Sequence, residues 1–163
     1  MKWRDNDALA RETIAEGHRY ERAIAERLRA AGLSVDIGPQ SVREDVDQAM
    51  RGDYAGTVDL HVEGWAVQVK SRRLRQFLDP LYLCSARAWK HDGPTTDLWI
   101  CVSQITGEAV CVSGRKAREN SIERRSTDRR RGIEEYSVRV LALRYWSPLD
   151  VAIKWLRDRK GAQ

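Results

Sequence analysis

Residues 57–70 read Thr57-Val58-Asp59-Leu60-His61-Val62-Glu63-Gly64-Trp65-Ala66-Val67-Gln68-Val69-Lys70, two alternating runs either side of Glu63-Gly64. Side chains alternate across a strand, so Val58, Leu60 and Val62 share one face, and Trp65, Val67 and Val69 share the matching one. The pattern predicts an antiparallel hairpin whose apolar face meets a core, with Glu63-Gly64 as its two-residue turn. The other face then carries Asp59, His61, Gln68 and Lys70. In that register Val62 opposes Trp65, Asp59 lies directly opposite Gln68 with Cβ atoms roughly 4.5–5.5 Å apart, and Lys70 is the diagonal neighbour. A carboxylate, an amide oxygen and a nearby main-chain carbonyl are hard donors suited to Mg²⁺. A lysine beside them can orient or deprotonate an attacking water, or stabilise charge developing on phosphorus. An ordinary polar outer face would look the same, so the hairpin needs a second signal.

Residues 7–31 supply that signal. They are rich in Ala, Glu, Arg and Leu and are stopped by Gly32, which predicts a helix. At 100° per residue, Ile14, Gly17, Ile24, Leu28 and Ala31 form one stripe toward the core. Of the glutamates at 12, 16, 21 and 26, only Glu21 falls inside it. An inward carboxylate is costly unless paired. A cation held on the sheet beneath the helix would pair with it, and so would a salt bridge. Gly17, one turn earlier, would allow close approach to the sheet or to a nucleic-acid backbone.

Working outward, Leu33–Ile37 reads as a short strand, and residues 41–56 as a polar irregular segment holding Glu44, Asp45, Asp47 and Asp53. A second helix is expected from Pro80 to Lys90, with proline in its first turn and Tyr82, Arg87 and Lys90 available to face nucleic acid. Leu98–Ser103 and Ala109–Ser113 read as a strand pair around Thr106-Gly107, and Tyr136–Tyr145 as a further strand. A last helix opens at Ser147-Pro148, with Leu149, Ala152, Ile153 and Leu156 on one face. The order α-β-β-β-α-β-β-β-α predicts an α/β (α+β) fold: one domain over residues 1–163, with a mixed central sheet flanked by helices.

The net charge is +5. Residues 114–132 hold Arg115, Lys116, Arg118, Arg124, Arg125, Arg129, Arg130 and Arg131 against Glu119, Glu123 and Asp128, so they account for the whole excess. Arginine predominates, and its planar fork matches phosphate oxygens. The segment reads as an Arg-rich loop or arm that contacts a nucleic-acid backbone, although a solvated loop has the same composition. Cys84, Cys101 and Cys111 lack metal-ligand spacing and read as small buried hydrophobes in a reducing compartment. With no apolar leader and no run near the ~18 residues a membrane span needs, a cytoplasmic protein is expected.

Together these features resemble the PD-(D/E)XK nuclease superfamily, in particular its Holliday-junction-resolvase and Mrr-like branch. The resemblance is carried by Gly17-His18-Arg19-Tyr20-Glu21-Arg22, Thr57-Val58-Asp59-Leu60 and Gln68-Val69-Lys70-Ser71. It spans about residues 13–103, where the superfamily's restriction-endonuclease-like α-β-β-β-α-β core would fall. The resemblance implies a DNA endonuclease that uses Mg²⁺ or Mn²⁺, structure-selective for branched DNA or non-specific, and a homodimer. It also implies that Glu21, Asp59, Gln68 and the Val69 carbonyl hold the metal, that Lys70 is the catalytic lysine, and that Ser71 touches a phosphate. Gln68 stands where the family's second acid is usual. That leaves one negative charge fewer at the metal, so a catalytically weak or inactive nucleic-acid-binding protein is the alternative.

Overall fold

The computed structural model describes residues 7–51, 58–128 and 133–161. Asp53, Thr57, Arg129, Arg130 and Arg131, which figure in the sequence reading, lie outside them. Helix α1 (Asp7–Ala30) leads into β1 (Val35–Ile37), α2 (Val42–Arg51) and the hairpin of β2 (Leu60–Val62) and β3 (Trp65–Arg72). Then follow β4 (Leu81–Ser85), α3 (Ala86–Asp92), β5 (Leu98–Ser103), β6 (Ala109–Ser113) and α4 (Gly114–Asn120). The chain continues through β7 (Ile122–Asp128), β8 (Ile133–Leu141), β9 (Ser147–Pro148) and α5 (Leu149–Lys160).

The hairpin turn forms as expected. Glu63 and Gly64 both take positive φ, 49° and 82°, the pair that a tight two-residue turn requires, and Val62 faces Trp65. The hairpin belongs to a mixed six-stranded sheet of order β1-β2-β3-β5-β6-β9, in which β3 and β5 run parallel and the other pairs antiparallel. A second, antiparallel sheet has the order β4-β8-β7. The fold is thus α+β, a mixed central sheet flanked by helices.

Each face of the central sheet has its own cover. Ile24, Ala25 and Leu28 of α1 and Leu149, Ala152 and Leu156 of α5 pack against Val67, Val69, Ile100 and Val102. Their i, i+4 spacing explains why these two helices lie on the same side. Fully burying a leucine such as Leu28 contributes about 1.5–3 kcal/mol. On the opposite face Trp99, Cys101, Val110 and Val112 meet Leu81, Leu83, Ala88, Ala117 and Leu141 from the second sheet, α3 and α4. All three cysteines are buried and unpaired, as expected. Among the described residues no helix is long and apolar enough to cross a membrane.

Several expectations are corrected. Residues 81–85 form a strand where a helix from Pro80 was expected, so Tyr82 is a strand residue. Leu81 and Leu83 are buried with Tyr82 between them, a period-2 pattern that β8 completes, and Ser85 caps the shorter helix by accepting from the Ala88 N–H. The polar 41–56 segment contains α2 instead of irregular chain. Ser41 Oγ accepts from Glu44 N at 3.3 Å, Glu44 and Asp45 lie in the first turn where the helix dipole favours acids, and Val46 is buried.

The basic segment is not a loop over its described length. It forms α4 and β7, and β7 pairs residue by residue with β8, Glu123 opposite Arg139. Residues 136–145 end their strand at Leu141 and close with a 3-10 turn. A Cβ at Gly17 would meet nothing within 4 Å, so no close helix–sheet contact requires glycine there.

Candidate active site

The two ladders of β3 end at different places, and the difference makes the site. The β2 ladder stops at Leu60↔Val67, whereas the β5 ladder runs on through Val69, Lys70 and Arg72. Asp59 therefore does not pair with Gln68 in the sheet, as the extended register predicted. Its main-chain carbonyl accepts from Gly38 N at 2.8 Å, and its Oδ2 accepts from Val69 N at 2.8 Å. The carboxylate thus satisfies a strand N–H left without a partner strand. In an extended chain the N–H and C=O of one residue point to the same side, so the Val69 carbonyl also opens toward Asp59.

Gln68 and Lys70 pair with Trp99 and Cys101 and share their face, the one covered by β4 and α3. Glu21 comes from α1, on the opposite face. The expected arrangement, with the helix lying over the polar face, is therefore corrected: the groups approach from both sides and meet at the gap beside Asp59. Gln68 is buried, 2% exposed, and Lys70 Nζ donates to its Oε1 at 3.4 Å.

The charges interact. Burial and the neighbouring Asp59 charge push Glu21 up to about 7, with a smaller rise from Asp45, against the opposing effects of Gln40 and Lys70. Burial also raises Asp59, despite Lys70 and the Val69 N–H. For Lys70, burial works against the ammonium, but the carboxylates of Asp59 and Asp92 outweigh it and hold the group above its usual value. The surroundings of Lys70 thus favour its ammonium form.

Three further groups, two of them (Gln40 and Asp92) not singled out from the sequence, belong to this cluster. Gln40 Nε2 donates to Glu21 Oε2 at 2.8 Å, fixing the carboxylate. His18 is buried and pairs with Asp45 at 2.8 Å, tying α2 to α1. Asp92 is 1% exposed, and its charge acts on both Asp59 and Lys70. An acid at a helix C-terminus opposes the macrodipole, and that mismatch was the readable signal. Gln40 and Asp45 carried none, because their partners lie 19 and 27 residues away.

The other candidates are spread out. Ser71 Oγ accepts from Gln104 Nε2 at 3.0 Å, and Gln104 O accepts from Tyr20 next to Glu21. Arg115, Lys116 and Arg118 lie on α4, and Arg124 and Arg125 are exposed on β7. Arg118 donates to the carbonyls of Gly93 and Thr96 at 3.1 and 3.0 Å, a strap between elements. His61 is exposed, and Trp89 stacks on Trp99 with centroids 5.9 Å apart.

No family model, curated protein or solved structure matches the chain. Its own geometry has to carry the reading. Among the described residues no three His, Cys, Asp or Glu side chains are gathered as a metal cluster. The groups that could hold an ion would be two carboxylates, one amide and one main-chain carbonyl, donor types suited to a hard ion keeping several waters. Burial raises the proton affinity of both acids, and the Asp59 charge adds to the rise at Glu21; a divalent cation would relieve both.

Gly38 supports this corner. A Cβ there would collide with the Val58 carbonyl oxygen and sit 3.2 Å from that of Asp59. Gly38→Ala is expected to cost about 1–3 kcal/mol in urea unfolding, through overpacking, and to weaken metal binding by displacing Asp59. Unchanged stability and unchanged metal binding would show that the 58–59 segment yields freely.

Proposed function

We propose that this chain is a divalent-metal-dependent deoxyribonuclease of the PD-(D/E)XK type, acting in the cytoplasm on branched DNA or without structural preference. In this reading Glu21, Asp59, Gln68 and the Val69 carbonyl hold Mg²⁺ or Mn²⁺, and Lys70 serves the reaction. The observation that supports it is the Asp59 carboxylate held on the Val69 N–H at the open edge of β3, with Lys70 and Asp59 both acting electrostatically on Glu21. The bound ion would supply neutralisation of phosphate charge and a water of lowered pKa. The Lys70 ammonium would face the charge developing on the phosphoryl oxygens. Gln40 and the Val69 N–H keep the two carboxylates aimed, so little reorganisation remains for the reaction step. Arg124 and Arg125 on β7, with Arg129–Arg131 following in sequence, would hold backbone phosphates and position the duplex without reading its bases.

A second reading is carried by Gln68: with an amide in the place of an acid, the fold would bind DNA without cutting it. Branched, linear and single-stranded DNA incubated with Mg²⁺ or Mn²⁺ separate the two. Cleavage of any of them supports the enzyme; binding without cleavage at either metal supports the binding protein. Gln68→Glu restores the missing charge and is expected to tighten Mg²⁺ binding on the order of tenfold. Unchanged or weaker binding by calorimetry would mean that residue 68 is not a ligand.

A further inference from the structure

At the other end of the central sheet, about 16 Å along β3 from Lys70 at the usual rise per residue, lies a cleft of about 480 Å³. Its floor and one wall are apolar, from Trp65, Leu98 and the α5 residues Val151 and Trp155. Trp155 is 44% exposed and Val151 55%, unusual for large apolar groups standing together. The indole rings of Trp65 and Trp155 lie 5.5 Å apart, tilted by 57°. Arg159 stacks its guanidinium 4.0 Å above the Trp155 ring, which shows that the ring accepts a flat partner.

The rim is strongly cationic. Arg115, Lys116, Arg118 and Arg159 line it, against a single acid among the described lining residues, Asp97. The Asp97 carboxylate is already occupied, accepting from Ala66 N at 2.9 Å. A second copy docking here by two-fold symmetry would bring these cations against their own images, which is unfavourable. An apolar peptide would leave Arg115 and Lys116 without a charge to meet. What matches exposed indole surrounded by guanidinium and ammonium groups is a flat aromatic base carried on a phosphate chain.

We propose that this cleft binds an unpaired nucleotide of a DNA strand, its base against Trp155 and Trp65 and its flanking phosphates at Arg115 and Lys116. A duplex cannot use it, since its bases are stacked on one another. The site is separate from the Glu21–Asp59–Lys70 cluster and needs no metal. It stands or falls apart from the nuclease reading.

The test is fluorescence anisotropy on the full chain in EDTA, with a labelled oligo-thymidine, the same backbone carrying abasic sugars, and a duplex of equal length. Oligo-thymidine is expected to bind at least about tenfold more tightly than the abasic strand, the worth of one or more stacked bases. Trp155→Ala should remove that advantage, and Trp155→Phe should restore most of it. Lys116→Ala should lower the salt slope by about 0.7, the loss of one phosphate contact to a single strand. Equal binding of thymidine and abasic strands would overturn the proposal, as would indifference to Trp155→Ala in a protein with normal circular dichroism. So would a concentration-dependent dimer abolished by Trp155→Ala.

Discussion

Lys70→Ala is expected to reduce Mg²⁺-dependent DNA cleavage at least about a hundredfold, the usual effect of deleting one preorganised charge-stabilising donor. The expectation follows from where the ammonium stands. It is kept charged by Asp59 and Asp92, it reaches Gln68 Oε1, and it shares the corner with the carboxylate of Glu21. Its removal also leaves those carboxylates without their nearest cation. Breaking such a pair from one side costs about 3–5 kcal/mol when fully buried and less here, because Lys70 is partly accessible. Lys70→Met preserves the packing of the stem and separates the two effects: its melting temperature reports the ion-pair loss, while its cleavage rate at a temperature where it is folded reports the chemistry. Lys70→Arg keeps the charge and should fold normally, but a planar guanidinium cannot occupy the same point. Wild-type cleavage by a folded Lys70→Met protein would remove Lys70 from the reaction and, with it, the PD-(D/E)XK assignment of the site.

The second large effect concerns pH. Glu21 rises from 4.5 to about 7, through burial first and Asp59 second. A carboxyl whose folded value lies above its unfolded one binds its proton more tightly in the native state. Its contribution is complete below about pH 4.5 and is lost as pH rises through about 7. At about 1.4 kcal/mol per pH unit, and trimmed for the part of the carboxyl that solvent reaches, the metal-free protein should lose about 2–3 kcal/mol between those limits. Glu21→Gln, neutral at every pH, should flatten that slope in urea titrations. Mg²⁺ should stabilise the wild type more at pH 8 than at pH 5, because only the ionised pair can hold it. A wild-type slope no steeper than that of Glu21→Gln would show that Glu21 is not held among like charges.

Local periodicity made a good part of this protein legible. Ile24 and Leu28 marked the buried side of α1, and Glu21, expected within that stripe, is half-buried, while Glu12 and Glu26 are exposed. The alternation at 58–70 and the Glu63-Gly64 pair located the turn and its register. The pairing of residues 98–103 with 109–113 was equally plain. Pro80, by contrast, pointed to a helix over residues 80–90, whereas the helix begins only after Ser85, which caps it. The balance turned on β8, a strand that starts 48 residues further along the chain. The arginines of 122–128 hid a strand for the same reason: its apolar support, Val138 and Val140, comes from its neighbour.

What a single stretch of chain can dictate, then, is its own period: which residues of α1 and of the hairpin turn inward, and where the chain reverses. The meeting of groups from separate stretches lies beyond that. β2 lets go of β3 at Val67, and Asp59 turns its carboxylate to the freed Val69 N–H. Gln40, Asp45 and Asp92 reach the same corner because the sheets and helices pack as they do. Those outcomes depend on desolvation and on charges acting across space, and neither leaves a mark on the spacing of residues along a chain.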